Sequence, residues 1–230
     1  MHEDVKFLRR LFSDKDPTGR TLGTTHGRRP FDPRLEPLAL ALFAAVMQAS
    51  KQIGEGWTQV TGEHEMPFIS NWAMRVEELG FFLHLAYRLV FIAAGDEARA
   101  RLQDYLTMHM VNELVDSSFD SSNVEPSRKG ELAGKMKLEV LDVINDTEME
   151  YAECDTWLKR PPDLDLTASL FVWAPDDTDI TGRLAKRIAE DTRQADTKEF
   201  RQLIWGCNIS ACNDLSVIGQ VDIALQTIRS

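Results

Sequence analysis

Between Ser70 and Ala94 the apolar residues Trp72, Val76, Leu79, Leu83, Ala86 and Val90 recur at steps of three and four. At about 100° per residue such steps stack side chains on one face of an α-helix. Outside Leu166–Trp173, which reads equally as a buried short helix or a strand, no segment alternates at the period of two that a half-buried strand needs. A chain organised this way must cover its helical stripes with other helices, so the expected class is all-α.

The punctuation divides the rest. Leu35–Ile53 is apolar on most sides, with Pro37 in its first turn, where a missing N–H does no harm. Gly54, Gly56 and Gly62 predict a loop around Trp57. Ser70 is a candidate N-cap for the stripe helix. Gly95-Asp96 predicts a tight turn into a helix capped by Asp96 and reaching about Val115, which makes an antiparallel hairpin. Ser117–Pro126 is a polar break, and a long helix follows over Ser127–Leu158, stopped by Pro161-Pro162. Thr178–Thr192, Thr197–Trp205 and Asp214–Ile228 read as three more helices, with Asp196 and Glu199 as a capping box and Asn213 as a cap. At the front, Val5–Phe12 can form a short amphipathic helix, while Gly19, Gly23, Gly27, Pro17, Pro30 and Pro33 make Ser13–Pro33 a loop or flexible arm. The expectation is a bundle of about seven or eight helices with a flexible N-terminal arm. Its three parts are a short helix and basic arm over 1–34, a main bundle over 35–160, and a helical subdomain over 161–230 packed on that bundle.

Charge follows the same division. The 230 residues carry a formal net charge of −11, but residues 1–34 hold eight Lys/Arg against five Asp/Glu, a net of +3. The remaining 18 basic and 32 acidic residues give the body −14. An acidic body argues against coating a nucleic-acid backbone, and contact with nucleic acid or phosphate is expected only through the arm. There Arg20, Arg28, Arg29 and Arg34 are the candidate partner-binding residues. The N-terminus mixes charges of both signs, so no secretory signal is expected. Leu38–Met47 is too short to span a bilayer and Leu79–Ala94 carries His84 and Arg88, so buried helices are expected instead. Cys154, Cys207 and Cys212 form no even-numbered framework and fit reduced thiols in a cytoplasmic protein.

The candidate chemistry lies on the hairpin. Glu77, His84 and Arg88 share a narrow stripe of its first helix, and His109 and Glu113 lie one turn apart on its second. A turn centred at Gly95 places Glu77 opposite Glu113 and His84 near Leu106 and His109. Glu77, His84, His109 and Glu113 are therefore the candidate ligands of a divalent metal such as zinc, manganese or iron, or an acid–base set beside a ligand pocket. The ordinary alternative, and the favoured one, is a His–Glu hydrogen bond with an Arg88–carboxylate pair that locks the hairpin. No Glu-x-x-His of the di-iron bundles is present. The acids Asp142, Asp146, Glu148, Glu150 and Glu153 include a stripe of Asp142, Asp146, Glu150 and Glu153 that reads as a solvated face, and no EF-hand loop occurs. P-loop, Gly-x-Ser-x-Gly and His-Glu-x-x-His patterns are absent, and Cys207 and Cys212 lack zinc-knuckle spacing. The leading expectation is a non-enzymatic, cytoplasmic protein that acts through protein–protein interaction or self-association, as a regulator, adaptor or inhibitor. The second is a metal- or small-ligand-binding bundle.

Overall fold

The computed structural model describes residues 32–64, 66–120, 126–154 and 180–229. Among these the chain is helical, with no strand. A 3₁₀ turn, Pro33–Leu35, leads into six helices: α1 (Glu36–Thr61), α2 (Phe68–Asp120), α3 (Pro126–Ala152), α4 (Ile180–Thr192), α5 (Lys198–Asp214) and α6 (Val217–Arg229). The short helix expected at Val5–Phe12, the basic arm as far as Phe31 and the ambiguous segment 166–173 lie outside the described residues.

The expected hairpin is α2, broken at Gly95, whose φ of 83° and ψ of −176° no helix contains. Glycine carries this conformation without a Cβ clash. The Tyr87 hydroxyl lies 2.9 Å from Thr107 Oγ1, which two residues so far apart along one straight helix could not achieve. The arms therefore run antiparallel.

The first arm of α2 is the middle of the molecule. Every residue from Val76 to Tyr87 is buried, and α1, α3, α4 and α6 all pack against α2. Residues 70–119 are long and apolar enough to cross a membrane by composition, yet 67% of the most apolar window is buried inside the fold. One contiguous core takes side chains from every helix, including Leu42, Leu83, Ile144, Leu184, Ile204 and Val221. Gly80 lets α2 pack tightly on α3, since an added Cβ would stand 3.0 Å from Thr147 Cγ2 and Oγ1.

Several boundaries differ from the sequence reading. The loop expected at Gly54–Gly62 is helix, and α1 ends only at Gly62, whose φ of 75° closes the C-cap. Gly56 serves the packing instead: a Cβ there would meet Leu203 Cδ1 of α5 at 2.5 Å. Trp57 is buried, edge-on to Phe200 at 6.0 Å, and its indole N–H donates to Glu63 Oε2 at 3.1 Å. α2 starts two residues before Ser70, so Ser70 is not its cap, and it continues past Val115 to Asp120. The Ser117 and Ser118 hydroxyls, expected to break the helix, donate to Leu114 O at 2.9 and 2.8 Å. α3 ends at Ala152 instead of Leu158, and α5 runs past Trp205 to Asp214. The cap of α5 is Thr197, whose hydroxyl accepts from Phe200 N at 3.1 Å. Asp196 turns instead to Arg201. Asn213 lies within α5, and Ser216, at φ 49°, makes the corner before α6.

Two glycine substitutions of the same kind should act in opposite directions. Gly80→Ala should destabilise by roughly 1–3 kcal/mol in chemical denaturation, because Thr147 is β-branched, buried and bonded to Val143 O, and cannot yield. Gly54→Ala, with nothing within 4 Å of the new Cβ, should stabilise by about 0.5–1 kcal/mol through helix propensity.

Candidate functional site

A central helix buried all round leaves its polar residues no route to water, so each must find a partner inside the protein. Glu77 finds one on α4. Its Oε2 accepts from Arg187 Nε at 2.5 Å and its Oε1 from Arg187 Nη2 at 2.8 Å, the two-pronged arrangement that a planar guanidinium favours. The third nitrogen of Arg187 donates to Glu150 Oε2 of α3 at 2.6 Å, and Arg183 reaches Glu150 Oε1 at 3.3 Å. Arg183 and Arg187 share a face of α4 because they are four residues apart. The relay Glu77–Arg187–Glu150–Arg183 thus ties α2, α4 and α3 together.

The relay forms the wall of a cleft of about 240 Å³ lined by Glu77, Glu150, Lys186, Arg187, Glu190 and Asp191. Glu190 and Asp191 are exposed, while Glu77 is 1% exposed. Burial raises the Glu77 carboxyl, Arg187 pulls it back and the Asp191 carboxylate adds to the rise, which together leave it at about 7. Arg187 is held firmly charged by its carboxylate partners despite burial.

The other sequence candidates go to separate partners. His84, 2% exposed, donates from Nδ1 to Glu148 Oε1 of α3 at 3.1 Å, with its ring edge-on to Tyr151 at 5.3 Å. His109 Nε2 lies 4.0 Å from Glu36 Oε2 of α1, and Glu113 is exposed. The structure therefore does not bring Glu77, His84, His109 and Glu113 together. Among the described residues no group of three or more His, Cys, Asp or Glu side chains is arranged to hold a metal ion. The His–Glu bond expected within the hairpin joins it to α3 instead, and Arg88 lies over the Phe91 ring at 5.5 Å. The acidic run of α3 is only partly a solvated face. Asp142, Asp146 and Glu153 are exposed, but Glu150 and Glu148 turn inward to arginine and histidine.

Arg34 of the arm folds back on Asp32, with Nη2 2.8 Å from Oδ2, and its side chain is 64% exposed. Arg20, Arg28 and Arg29 lie outside the described residues. Cys154, Cys207 and Cys212 are thiols outside any disulfide among the described residues, and burial lifts the last two to about 11 and about 12, so they stay protonated at neutral pH.

Sequence reasoning missed Arg187 and Glu78. For Glu78 a signal existed. Met74, Phe82, Leu85 and Leu89 share its face of the helix, so it is a lone acid in an apolar stripe. For Arg187 the only signal was an arginine bordering the apolar face of Ile180, Leu184 and Ile188, which covalent spacing cannot link to Glu77. No protein-family model, curated protein or solved structure matches this chain.

Removing the cation from the relay should expose the cost of the buried carboxylate. Arg187→Leu should lower stability by about 3 kcal/mol or more at about pH 8, because one buried charge is left without its partner. The loss should shrink at about pH 5, where Glu77 takes up a proton and sheds that charge. Denaturant unfolding at both pH values checks this, and an equal loss at both would show that the Glu77 charge is not what Arg187 answers.

Proposed function

We propose that this chain works through protein–protein interaction, as a regulator, adaptor or inhibitor, and that it receives a basic side chain of its partner in the cleft between α3 and α4. The observation that carries this reading is the lining of the cleft: four carboxylates, from Glu77, Glu150, Glu190 and Asp191, stand against the two cations Arg187 and Lys186. Arg187 is already bonded to two of the four, so the local balance stays negative. The net charge of −11 adds a field that draws cations toward such a surface. Both oxygens of Glu77 accept from Arg187, which suits a wall that holds charge more than a group that passes protons. Glu190 and Asp191, exposed on the last turns of α4, are the groups a partner would meet first.

A short arginine-rich peptide serves as the probe, with affinity measured by calorimetry at low and at high salt. The double variant Glu190→Lys/Asp191→Lys should bind about tenfold more weakly than the wild type, equivalent to ~1.4 kcal/mol. The charge-matched control Glu97→Lys/Asp104→Lys, altered on exposed positions of the second arm of α2, should lose far less. Equal losses in the two variants would mean that net charge alone attracts the peptide and that the cleft has no part in it.

A further inference from the structure

α3 lies on the outside of the fold, packed chiefly against α2. Its far face carries Leu138, 50% exposed, and Met149, 66% exposed. Eleven residues separate them, about three turns, so the two share one side of the helix. Asp142, Asn145 and Asp146 stand between them, all exposed, and exposed Glu153 follows the last turn. From Leu138 to Glu153 the chain has six acids and no lysine or arginine. On the inner side Glu150 meets Arg183 and Arg187, and Glu148 meets His84. The two lysines nearest the outer acids are engaged elsewhere, Lys135 with Glu131 and Lys137 with Asp116. The last turn of α3 has no basic residue to offset the negative end of the helix dipole. One exposed leucine or methionine is ordinary, but two of them alternating with uncompensated acids specify the cover that fits. That cover has an apolar stripe with cations beside it.

The chain contains such a segment. Val5, Leu8 and Phe12 follow the three-and-four spacing, and Lys6, Arg9 and Arg10 lie off that face. Residues 1–34 carry +3 against the −14 of the body. The described chain begins at Asp32, and its position relative to α3 is given by two contacts on one arm of α2. Glu36 Oε2 lies 4.0 Å from His109 Nε2, and Lys137 Nζ, beside Leu138, lies 3.2 Å from Asp116 Oδ1. His109 and Asp116 are two turns apart on the same side of that arm, ~10 Å along its axis. With helix axes roughly 8–10 Å apart, Asp32 and Leu138 are separated by no more than on the order of 30 Å. Residues 13–31 can span up to about 60 Å.

We propose that Val5–Phe12 docks on the outer face of α3, with its apolar residues over Leu138 and Met149 and its cations beside Asp142, Asp146 and Glu153. The basic N-terminal segment then covers an acidic, partly apolar surface of its own chain and closes that surface to other proteins. This docking does not rest on the cleft reading, since Glu190 and Asp191 belong to α4.

The test uses the full chain in ordinary and ¹⁵N-enriched forms, mixed equally and treated with a zero-length carbodiimide, which joins a lysine amine to a carboxylate in contact with it. Mass spectrometry should find Lys6 linked to Asp142, Asp146 or Glu153 within single chains. Leu138→Ser/Met149→Ser should lower the yield of that link roughly tenfold, as the loss of two apolar contacts implies. Leu40→Ser/Ile223→Ser, altered at exposed apolar positions of α1 and α6, should leave the yield unchanged. Links that join an ordinary chain to an enriched one would give the face to a second copy and overturn the proposal. Equal linking of Lys6 to acids of other helices, no link to α3 at all, or a yield indifferent to the α3 variant would overturn it too. The wild-type pattern is read without any substitution, so it decides the matter should the variant fail to fold.

Discussion

The rest of the structure depends on one constraint: the arm of α2 from Val76 to Tyr87 has no solvent face. A surface helix can place its charges outward and let its apolar stripe alone define the packing. This arm cannot. Glu77, Glu78, His84 and Tyr87 each point into protein, and each determines what the facing helix must carry. Arg187 on α4, Ser50 on α1 with Asn208 on α5, Glu148 on α3 and Thr107 on the returning arm of α2 are the responses. Apolar contacts supply most of the stabilisation but tolerate sliding and repacking. The polar contacts do not, because a helix displaced by one turn would leave a buried group without its partner. The two kinds of contact therefore divide the work, with one holding the helices together and the other setting their register.

Adjacent acids on the same helix illustrate how local this is. Glu77 and Glu78 are about 100° apart around the axis, so they face different neighbours. Glu77 meets a guanidinium, which supplies a matching charge in a two-pronged geometry. Glu78 meets a hydroxyl and an amide, which supply polarity but no charge. Burial raises both carboxyls. Arg187 pulls Glu77 back toward the ionised form, and Ser50, Asn208 and Arg75 do the same for Glu78.

This division also explains what could be read from the chain alone. The stripe Trp72 to Val90, the turn at Gly95 and the apolar character of α1 were legible because helical period and turn chemistry are local properties. The glycines of α1 misled for the opposite reason. Gly54 and Gly56 signal a break when read locally, but Gly56 answers to Leu203, far along the chain. The hairpin itself was legible, because its turn lies at the glycine that the sequence marks. Glu77 was singled out correctly as an inward-facing acid on the hairpin. Its partner was not, because Arg187 is 110 residues away and nothing in either segment points to the other. The acidic run of α3 divided for the same reason: Asp142 and Asp146 follow the pattern, whereas Glu148 and Glu150 answer to His84 and Arg187.

The relay from Glu77 to Arg183 has a consequence for the cleft it borders. A buried ion pair contributes little net stability compared with well-packed apolar residues of similar volume, since desolvation consumes most of the attraction. Its structural effect is larger than its energetic one. Arg187 bridges a fully buried carboxylate on α2 and a half-buried one on α3, so α4 is held at a defined height against both. Glu190 and Asp191, one turn further along α4, inherit that placement. Their exposed carboxylates are thereby presented by a helix whose rotation is set from beneath by Arg187. An acidic rim on a mobile loop would have to be ordered by whatever bound it, at a cost in conformational entropy. Here the ordering is done during folding, by the same central helix that refuses water to Glu77.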